Sequence, residues 1–132
     1  MISNYSTDQK STLIVDDDNA TRSLKADAIK ETGNFITKEV SNGIEALEIF
    51  QKNPHDLVIS DINMPGMNGI ELLNKIRKID PTTYVIIITG YPSVEISVSA
   101  MKDGAADFIT KPFKIDDLIY KTSLYLRERA AL

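Results

Sequence analysis

The sequence predicts an α/β protein, a doubly wound (βα)5 domain built on a five-stranded parallel sheet. Two observations support this fold class. Short runs rich in Val and Ile alternate with longer segments whose apolar residues recur at helical spacing. Gly, Pro, Asn or Asp stands between these segments, where turns and helix ends are expected. Regular alternation of strands and helices requires parallel strands with helices packed on both faces of the sheet.

The first half of the chain is predicted to contain three strands separated by two helices. The strand Thr12–Val15 leads into the helix Asn19–Glu31, and Phe35–Val40 follows as a strand. Its partial alternation of apolar and polar residues indicates a sheet edge. Asn42 is expected to cap the second helix, and the strand Leu57–Ser60 comes next. The residues predicted to face the core are Leu24, Ala28 and Ile29 from the first helix and Ile44, Leu47 and Phe50 from the second.

The second half is predicted to contain three helices and two strands. The helix Gly69–Lys78 precedes the strand Tyr84–Ile88, which is expected to be central because its apolar character is continuous. The helix Ser93–Asp103, the short strand Ala106–Thr110 and the helix Ile115–Arg129 follow. The predicted core-facing residues of the three helices are Ile70, Leu73 and Ile76, then Val94, Val98 and Met101, then Ile115, Leu118, Ile119, Thr122 and Leu126.

Composition limits the classes of function. A chain of 132 residues is the size of one domain, so residues 12–132 are expected to fold together behind a disordered lead, residues 1–11. The formal charge of −4 argues against direct binding of nucleic acid, which needs a basic face. The absence of Cys excludes disulfides and thiolate metal sites, and it suits a cytoplasmic protein. The longest apolar run, Val85–Ile88, is too short to cross a membrane.

Polar and charged side chains follow four of the predicted strands. Asp16 and Asp17 come after the first strand, Asp61 after the third, Thr89 after the fourth and Lys111 after the fifth. Because the carboxyl ends of parallel strands share one edge of the sheet, these residues are expected to lie together. Doubly wound folds bind their ligands at this edge. The set can hold a divalent cation and a phosphoryl group.

The three carboxylates predict a metal site. Two like charges ~4 Å apart repel by roughly 4 kcal/mol at an effective dielectric constant near 20, so the cluster needs a cation. Oxygen ligands that leave room for waters and a phosphate favour Mg²⁺. Asp61 is then expected to be the nucleophile that forms an aspartyl phosphate, with Lys111 paired to Asp61 or to phosphoryl oxygens. For Asp16 and Asp17 considered alone, a place in an acidic loop that caps the first helix stays open.

At these positions the sequence resembles the receiver domain of bacterial two-component response regulators. The matching segments cover about residues 12–128 and are Val15-Asp16-Asp17, Asp61 with Met64-Pro65 and Gly69, Thr89, and Lys111-Pro112-Phe113. The resemblance implies a flavodoxin-like fold. It also implies that Asp61 accepts a phosphoryl group from a phosphohistidine on a sensor histidine kinase. Such a domain is a signalling phosphoacceptor rather than an enzyme, since it catalyses only its own phosphorylation and dephosphorylation.

The resemblance assigns a role to each residue of the site. The implied ligands of Mg²⁺, for which Mn²⁺ is expected to substitute, are Asp17 and Asp61 directly, Asn63 through its backbone carbonyl and Asp16 largely through water. Lys111 would contact the phosphoryl group. Thr89 would move to bond the same group, and Phe108 would turn inward with it as the second switch residue. The peptide bond between Lys111 and Pro112 is often cis in this family.

The resemblance also implies partners, namely a sensor histidine kinase and an output domain or effector protein that acts in transcription regulation. The stretches Thr89–Glu95 and Ala100–Ala105 are similar to receivers attached to sigma-54 activator ATPases of the nitrogen-regulator type. A homodimer through residues 93–129 is one expected assembly, although scattered exposed apolar residues are common on any surface. The apolar residues predicted to lie off the core faces of this region are Ile96, Ala100, Tyr120 and Leu124.

Three other functions stay open at this point. A haloacid-dehalogenase-type phosphatase would use Asp16 as its nucleophile and Asp18 as the partner, although Ala20 stands where that family has Thr or Val. A flavodoxin-like cofactor binder would need a hydroxyl- and glycine-rich phosphate loop after the first strand, where the acidic residues would repel a phosphate. A receiver fold kept only for protein contacts would have no use for the intact set of acids, Thr and Lys.

Overall fold

The computed structural model describes residues 9–131, with side chains described through Tyr125. Its five strands are β1 (Lys10–Val15), β2 (Phe35–Val40), β3 (Leu57–Asp61), β4 (Tyr84–Thr89) and β5 (Asp107–Thr110). Its five helices are α1 (Asn19–Glu31), α2 (Gly43–Lys52), α3 (Gly69–Ile79), α4 (Val94–Lys102) and α5 (Ile115–Ala131). All strand pairs are parallel, in the order β2-β1-β3-β4-β5. This order confirms the predicted flavodoxin-like fold.

The predicted elements are all present, and their ends shift by small amounts. β1 begins at Lys10, so residues 10 and 11 of the predicted disordered lead belong to the sheet, where they pair with Phe35 and Ile36. Residues 1–8 of that lead lie outside the described part of the chain. β3 extends to Asp61 and β4 to Thr89, so each of these polar residues is the last residue of a buried strand.

Position in the sheet explains which strands are buried. β3 is the middle strand, and all of its residues are buried. β4 lies between β3 and β5 and is buried after Tyr84, as its continuous apolar sequence predicted. β2 is an edge strand with an alternating pattern of exposure, which was also predicted. Within the described residues, no helix combines the length and apolar character that a membrane span requires.

Two hydrophobic clusters lie on opposite faces of the sheet. One packs α2, α3 and α4 against the sheet around Phe50, Leu72 and Ala100. The other packs α1 and α5 around Ile29 and Leu118. Full burial of each large apolar side chain stabilises the fold by about 1.5–3 kcal/mol relative to exposure. The helices thus hold the sheet from both sides and leave the carboxyl ends of the strands open.

The buried face of α4 differs from the prediction. Val94, Val98 and Met101 were predicted to face the core, but each is at least 50% exposed. Ala100 is fully buried instead, and Ile96 packs against the core. Both sets of residues recur at helical spacing, so periodicity alone does not choose between them. Packing against the sheet and α3 selects the face with the small Ala100.

The predicted faces of α1 and α2 are also partly wrong, since Leu24 and Ile44 are exposed. α1 buries Lys25 beside Ala26 and Ile29. A buried lysine contributes nothing to a hydrophobic pattern, and burial of its charge requires a paired partner. The other residues predicted to face the core are buried (Ile29, Phe50, Leu73, Ile76, Leu118, Thr122) or half-buried (Ala28, Leu47, Ile70, Ile115, Ile119), and the side chain of Leu126 lies outside the described residues.

Candidate functional site

The carboxyl ends of β1, β3, β4 and β5 surround one open cavity of about 500 Å³. The predicted site residues that line it are Asp16, Asp17, Asp61, Asn63, Thr89 and Lys111. Phe108 does not line the cavity, and it lies half-buried against the cluster of α2, α3 and α4. The side chains that sequence reasoning brought together from four strand ends therefore meet at one place.

The turn after β3 places the Asp61 carboxylate at the floor of this cavity, where it is 5% exposed. Gly69, the first residue of α3, donates its N–H to the carbonyl of Ile62 at 3.0 Å. A Cβ on Gly69 would lie 2.3 Å from the backbone oxygen of Asp61, so only glycine allows this close approach. Asn68 caps α3 and forms a capping box with Glu71. The helix start therefore holds the backbone of Asp61 in place.

Both carboxylate oxygens of Asp61 accept hydrogen bonds from lysines. Lys111 Nζ donates to Oδ2 at 2.9 Å, and Lys25 Nζ donates to Oδ1 at 3.0 Å. Lys25 is only 3% exposed, and the same ammonium group also donates to Asp16 Oδ2 at 3.0 Å. Lys111, by contrast, keeps 37% of its side chain exposed at the cavity. Asp61 is therefore neutralised from two sides by lysines of different accessibility.

Sequence reasoning did not identify Lys25. A lysine in a helix is normally solvated, and its position in α1 has no motif around it. The available signal was its spacing, because Lys25 precedes Ile29 by four residues and so shares the inward face of α1. A lysine on an inward face must find a carboxylate. The strand-end acids were the nearest candidates.

Asp16 is completely buried, and its carboxylate is fully engaged. Oδ1 accepts the N–H of Asp18 at 2.9 Å, and Oδ2 accepts the Thr21 hydroxyl at 2.7 Å in addition to Lys25. Burial acts to raise the pKa of Asp16, but these hydrogen bonds outweigh it and hold the pKa below its usual value. An enclosed carboxylate with this many partners is poorly placed to attack phosphorus. The arrangement argues against the phosphatase mechanism, in which Asp16 is the nucleophile.

Asp18, the second residue of that phosphatase motif, has a structural role. It caps α1 by accepting the N–H of Thr21 at 2.9 Å, and this hydrogen bond lowers the pKa of Asp18. Helix capping, which was an alternative for the acidic loop, is thus performed by Asp18. Asp17 remains exposed to the cavity, and Asp16 lines it with both carboxylate oxygens hydrogen-bonded.

Asp61 has the opposite electrostatic balance to Asp16. Burial raises the pKa of Asp61, and the attraction of Lys25 and Lys111 reduces this effect without cancelling it. Burial of Lys111 acts to lower its pKa, but the hydrogen bond and charge of Asp61 outweigh burial and raise it. Lys111 therefore remains a cation at neutral pH. The Asp61 carboxylate is more basic than that of a surface aspartate, which favours a nucleophile.

Three carboxylates form a group that could bind a metal ion. One oxygen each from Asp16, Asp17 and Asp61 lies within 4.8 Å of the others, and Asp17 is exposed to the cavity. Hard oxygen ligands in an open, hydrated site suit Mg²⁺, which keeps several waters and binds few protein groups. The donor set therefore fits the predicted cation. The positive charges of Lys25 and Lys111 would repel such an ion.

Thr89 lies beside this group at the end of β4, and only 2% of its surface is exposed. Its hydroxyl accepts hydrogen bonds from Asn63 Nδ2 at 3.3 Å and from the N–H of Tyr91 at 3.1 Å. The backbone carbonyl of Thr89 accepts the N–H of Lys111 at 2.8 Å, which ties the two strand ends together. The Lys111–Pro112 peptide bond is cis, as the resemblance implied.

Comparisons with known proteins identify the family of this chain. The family described as response regulator receiver domain matches residues 12–123. The chemotaxis protein CheY of Thermotoga maritima is 40% identical over 105 residues, which are 80% of this chain and 88% of CheY. The solved receiver domain (CheY-like) of Methanospirillum hungatei is 33% identical with a TM-score of 0.89, over 93% of this chain and 98% of that one.

The DNA-binding transcriptional regulator NtrC of Escherichia coli is 39% identical over 106 residues, which are 80% of this chain. The match spans only 22% of the length of NtrC. The predicted similarity to receivers of the nitrogen-regulator type is thereby confirmed. Since the family matches nearly the whole described chain, the protein belongs to the receiver domains of two-component response regulators.

Proposed function

We propose that Asp61 is the residue of this receiver domain that accepts the phosphoryl group, in a Mg²⁺-dependent reaction. The observation that carries the proposal is the position of its carboxylate. It lies at the cavity floor with a lysine on each oxygen and two further acids beside it. Asp16 is enclosed by hydrogen bonds, and Asp17 is exposed to solvent without the same enclosure. Asp61 alone combines access to the cavity with cations that can offset the charge of a phosphoryl group.

In the proposed step, a carboxylate oxygen of Asp61 forms a bond to the phosphorus of the donor. The bond from phosphorus to the donor breaks, and the leaving imidazole of a phosphohistidine keeps the electron pair. Lys111 stays beside the transferring oxygens, because its Nζ already lies 2.9 Å from Asp61 Oδ2. Bound Mg²⁺, or Mn²⁺ in its place, would offset negative charge on both reactants. The proposed ligands are Asp17, Asp61, the backbone carbonyl of Asn63 and, through water, Asp16.

Thr89 and Phe108 are proposed to convert phosphorylation into a change of shape. The modification adds nearly two negative charges and new acceptor oxygens at one spot. The Thr89 hydroxyl accepts two hydrogen bonds within the described residues, so its own proton can be donated to a phosphoryl oxygen. Movement of Thr89 toward Asp61 would alter the end of β4, and the half-buried Phe108 of the adjacent β5 would turn inward. The modified state then favours one of two arrangements.

The proposed partners are a sensor histidine kinase and an output domain or effector protein. The similarity to NtrC, a DNA-binding transcriptional regulator, supports a role in transcription regulation through that output. A homodimer through residues 93–129 is a further proposal, now with Val94, Val98, Met101 and Tyr120 as the exposed apolar contacts. Direct binding of nucleic acid or membrane is not part of this function, and the proposed location is the cytoplasm. Light scattering with and without a phosphoryl analogue tests the dimer, which an unchanged mass would exclude.

Intact mass measurement tests the proposed acceptor. The wild type, Asp61→Asn and Asp16→Asn are incubated with acetyl phosphate and Mg²⁺. We expect one phosphoryl adduct on the wild type and on Asp16→Asn, at a lower rate in the latter, and none on Asp61→Asn. If Asp61→Asn carried the adduct and Asp16→Asn did not, the nucleophile would be Asp16, as in the phosphatase mechanism.

A further inference from the structure

Lys25 is a buried cation placed inside the acidic group. Its ammonium donates to Asp16 and to Asp61 at 3.0 Å each, and its side chain is 3% exposed. The ring of Phe113 lies 6.0 Å from the same nitrogen, so one side of the ammonium faces an aromatic group. The stem of Lys25 lines a separate, largely apolar cavity between α1 and the Lys111–Ile115 segment. Lys25 therefore lines this second cavity and not the open one where Asp17 lies.

Lys25 changes the net charge of the acidic group. Three carboxylates, those of Asp16, Asp17 and Asp61, face two ammonium groups, those of Lys25 and Lys111. The net charge is a single negative unit. Without Lys25 it would be two negative units, the charge that one divalent cation neutralises. A metal ion that binds Asp61 must also share an oxygen with a lysine or displace it, because both oxygens are occupied.

We propose that Lys25 is a built-in counter-ion that stabilises the acidic group when no metal is bound and weakens the binding of Mg²⁺ to it. This inference rests on the proposed function, since it concerns the same metal site. Lys25 acts as a positioning residue. Its attraction holds Asp16 and Asp61 together in the metal-free protein, and its repulsion of the incoming cation sets how much Mg²⁺ the domain needs. Lys111 differs because its partly exposed side chain can turn toward solvent or a phosphoryl group.

Replacement of Lys25 by a neutral side chain of similar length separates these effects. Lys25→Met keeps an unbranched side chain but removes the charge. Lys25→Gln keeps a hydrogen-bond donor in case the first variant does not fold. Lys30→Met is the matched control, because Lys30 is an exposed lysine of the same helix. Asp17→Asn tests the metal site itself. Mg²⁺ binding is measured by titration calorimetry, and stability by urea unfolding in EDTA and in saturating Mg²⁺.

We expect Lys25→Met, or Lys25→Gln in its place, to bind Mg²⁺ roughly tenfold or more tightly than the wild type. The urea midpoint of the variant in EDTA should be lower than that of the wild type. Saturating Mg²⁺ should raise the midpoint of the variant by more than it raises that of the wild type. Lys30→Met should match the wild type in both measurements. Unchanged or weaker Mg²⁺ binding in the Lys25 variants, with binding lost in Asp17→Asn, would overturn the role of Lys25 and leave the proposed metal site intact. Full binding in Asp17→Asn would overturn the metal site and this inference together.

Discussion

Gly69→Ala is expected to destabilise the domain because α3 begins in contact with the backbone of Asp61. The added Cβ would lie 2.3 Å from the Asp61 oxygen and 2.9 Å from the Ile62 Cα. These are backbone atoms and cannot rotate away, so the turn must open by about 1 Å to reach ordinary contact. Overpacking of this kind costs about 1–3 kcal/mol, and the better helix propensity of Ala returns little because Gly69 is the first residue of α3 and not an interior one. We expect a net loss of about 2 kcal/mol, or roughly 8 °C in Tm.

Gly33→Ala provides a matched control for this prediction. Gly33 has a φ of +77° and nothing within 4 Å of its Cβ position, so its replacement costs only the backbone strain, about 1 kcal/mol. Urea unfolding followed by circular dichroism gives the free energy of unfolding of both variants. We also expect Gly69→Ala to be phosphorylated more slowly by acetyl phosphate, because Asp61 moves with the turn. A Gly69→Ala protein that is at least as stable as Gly33→Ala would refute the close contact.

Three further predictions follow from burial and charge. Asp61→Asn should raise the free energy of unfolding in EDTA, because burial raises the pKa of Asp61 and its ionised form opposes folding; a urea titration that gives a loss of stability would contradict this. Asp17→Asn should abolish most Mg²⁺ binding in calorimetry. Its free energy of unfolding in EDTA should differ from that of the wild type by less than about 0.5 kcal/mol, because the side chain is exposed. His55 is buried, its ring stacks on Phe50 at 6.3 Å, and burial lowers the pKa of His55. As the pH falls, the histidine is therefore protonated in the unfolded chain before it is protonated in the folded one, and the free energy of unfolding should decrease below about pH 6.5. Urea unfolding between pH 7 and 5 should show a smaller decrease in His55→Gln than in the wild type. Equal decreases in the two proteins would contradict this role of His55.

The sequence was sufficient to predict the fold and the composition of the cavity. Strand ends are readable because continuous apolar runs stop at Asp16, at Ser60 just before Asp61, and at Thr89, and parallel strands bring such ends to one edge. Helix caps were readable for the same local reason, as at Asn42, which accepts the N–H of Glu45 at 2.8 Å. These features depend on neighbouring residues, so sequence patterns capture them.

What the sequence did not predict depends on tertiary contacts. The buried face of α4 was wrong because two apolar sets share helical spacing, and only packing distinguishes Ala100 from Val98. Lys25 was missed because its burial requires the carboxylate of Asp16 after β1 and that of Asp61 in β3, and Asp61 is 36 residues away in sequence. Lys25 points inward to these carboxylates, and its neighbour Leu24 is 60% exposed. Ion pairs between separate elements thus accompany a helix orientation that hydrophobic periodicity did not predict.

Chemical identification of the modified residue tests the central claim most directly. The protein is phosphorylated with acetyl phosphate and Mg²⁺ and treated with borohydride, which reduces an aspartyl phosphate to homoserine, and its peptides are sequenced by mass spectrometry. We expect homoserine at position 61 and unmodified aspartate at positions 16 and 17. Homoserine at position 16, or a phosphorylated protein without homoserine at position 61, would contradict the assignment of Asp61 as the phosphoacceptor.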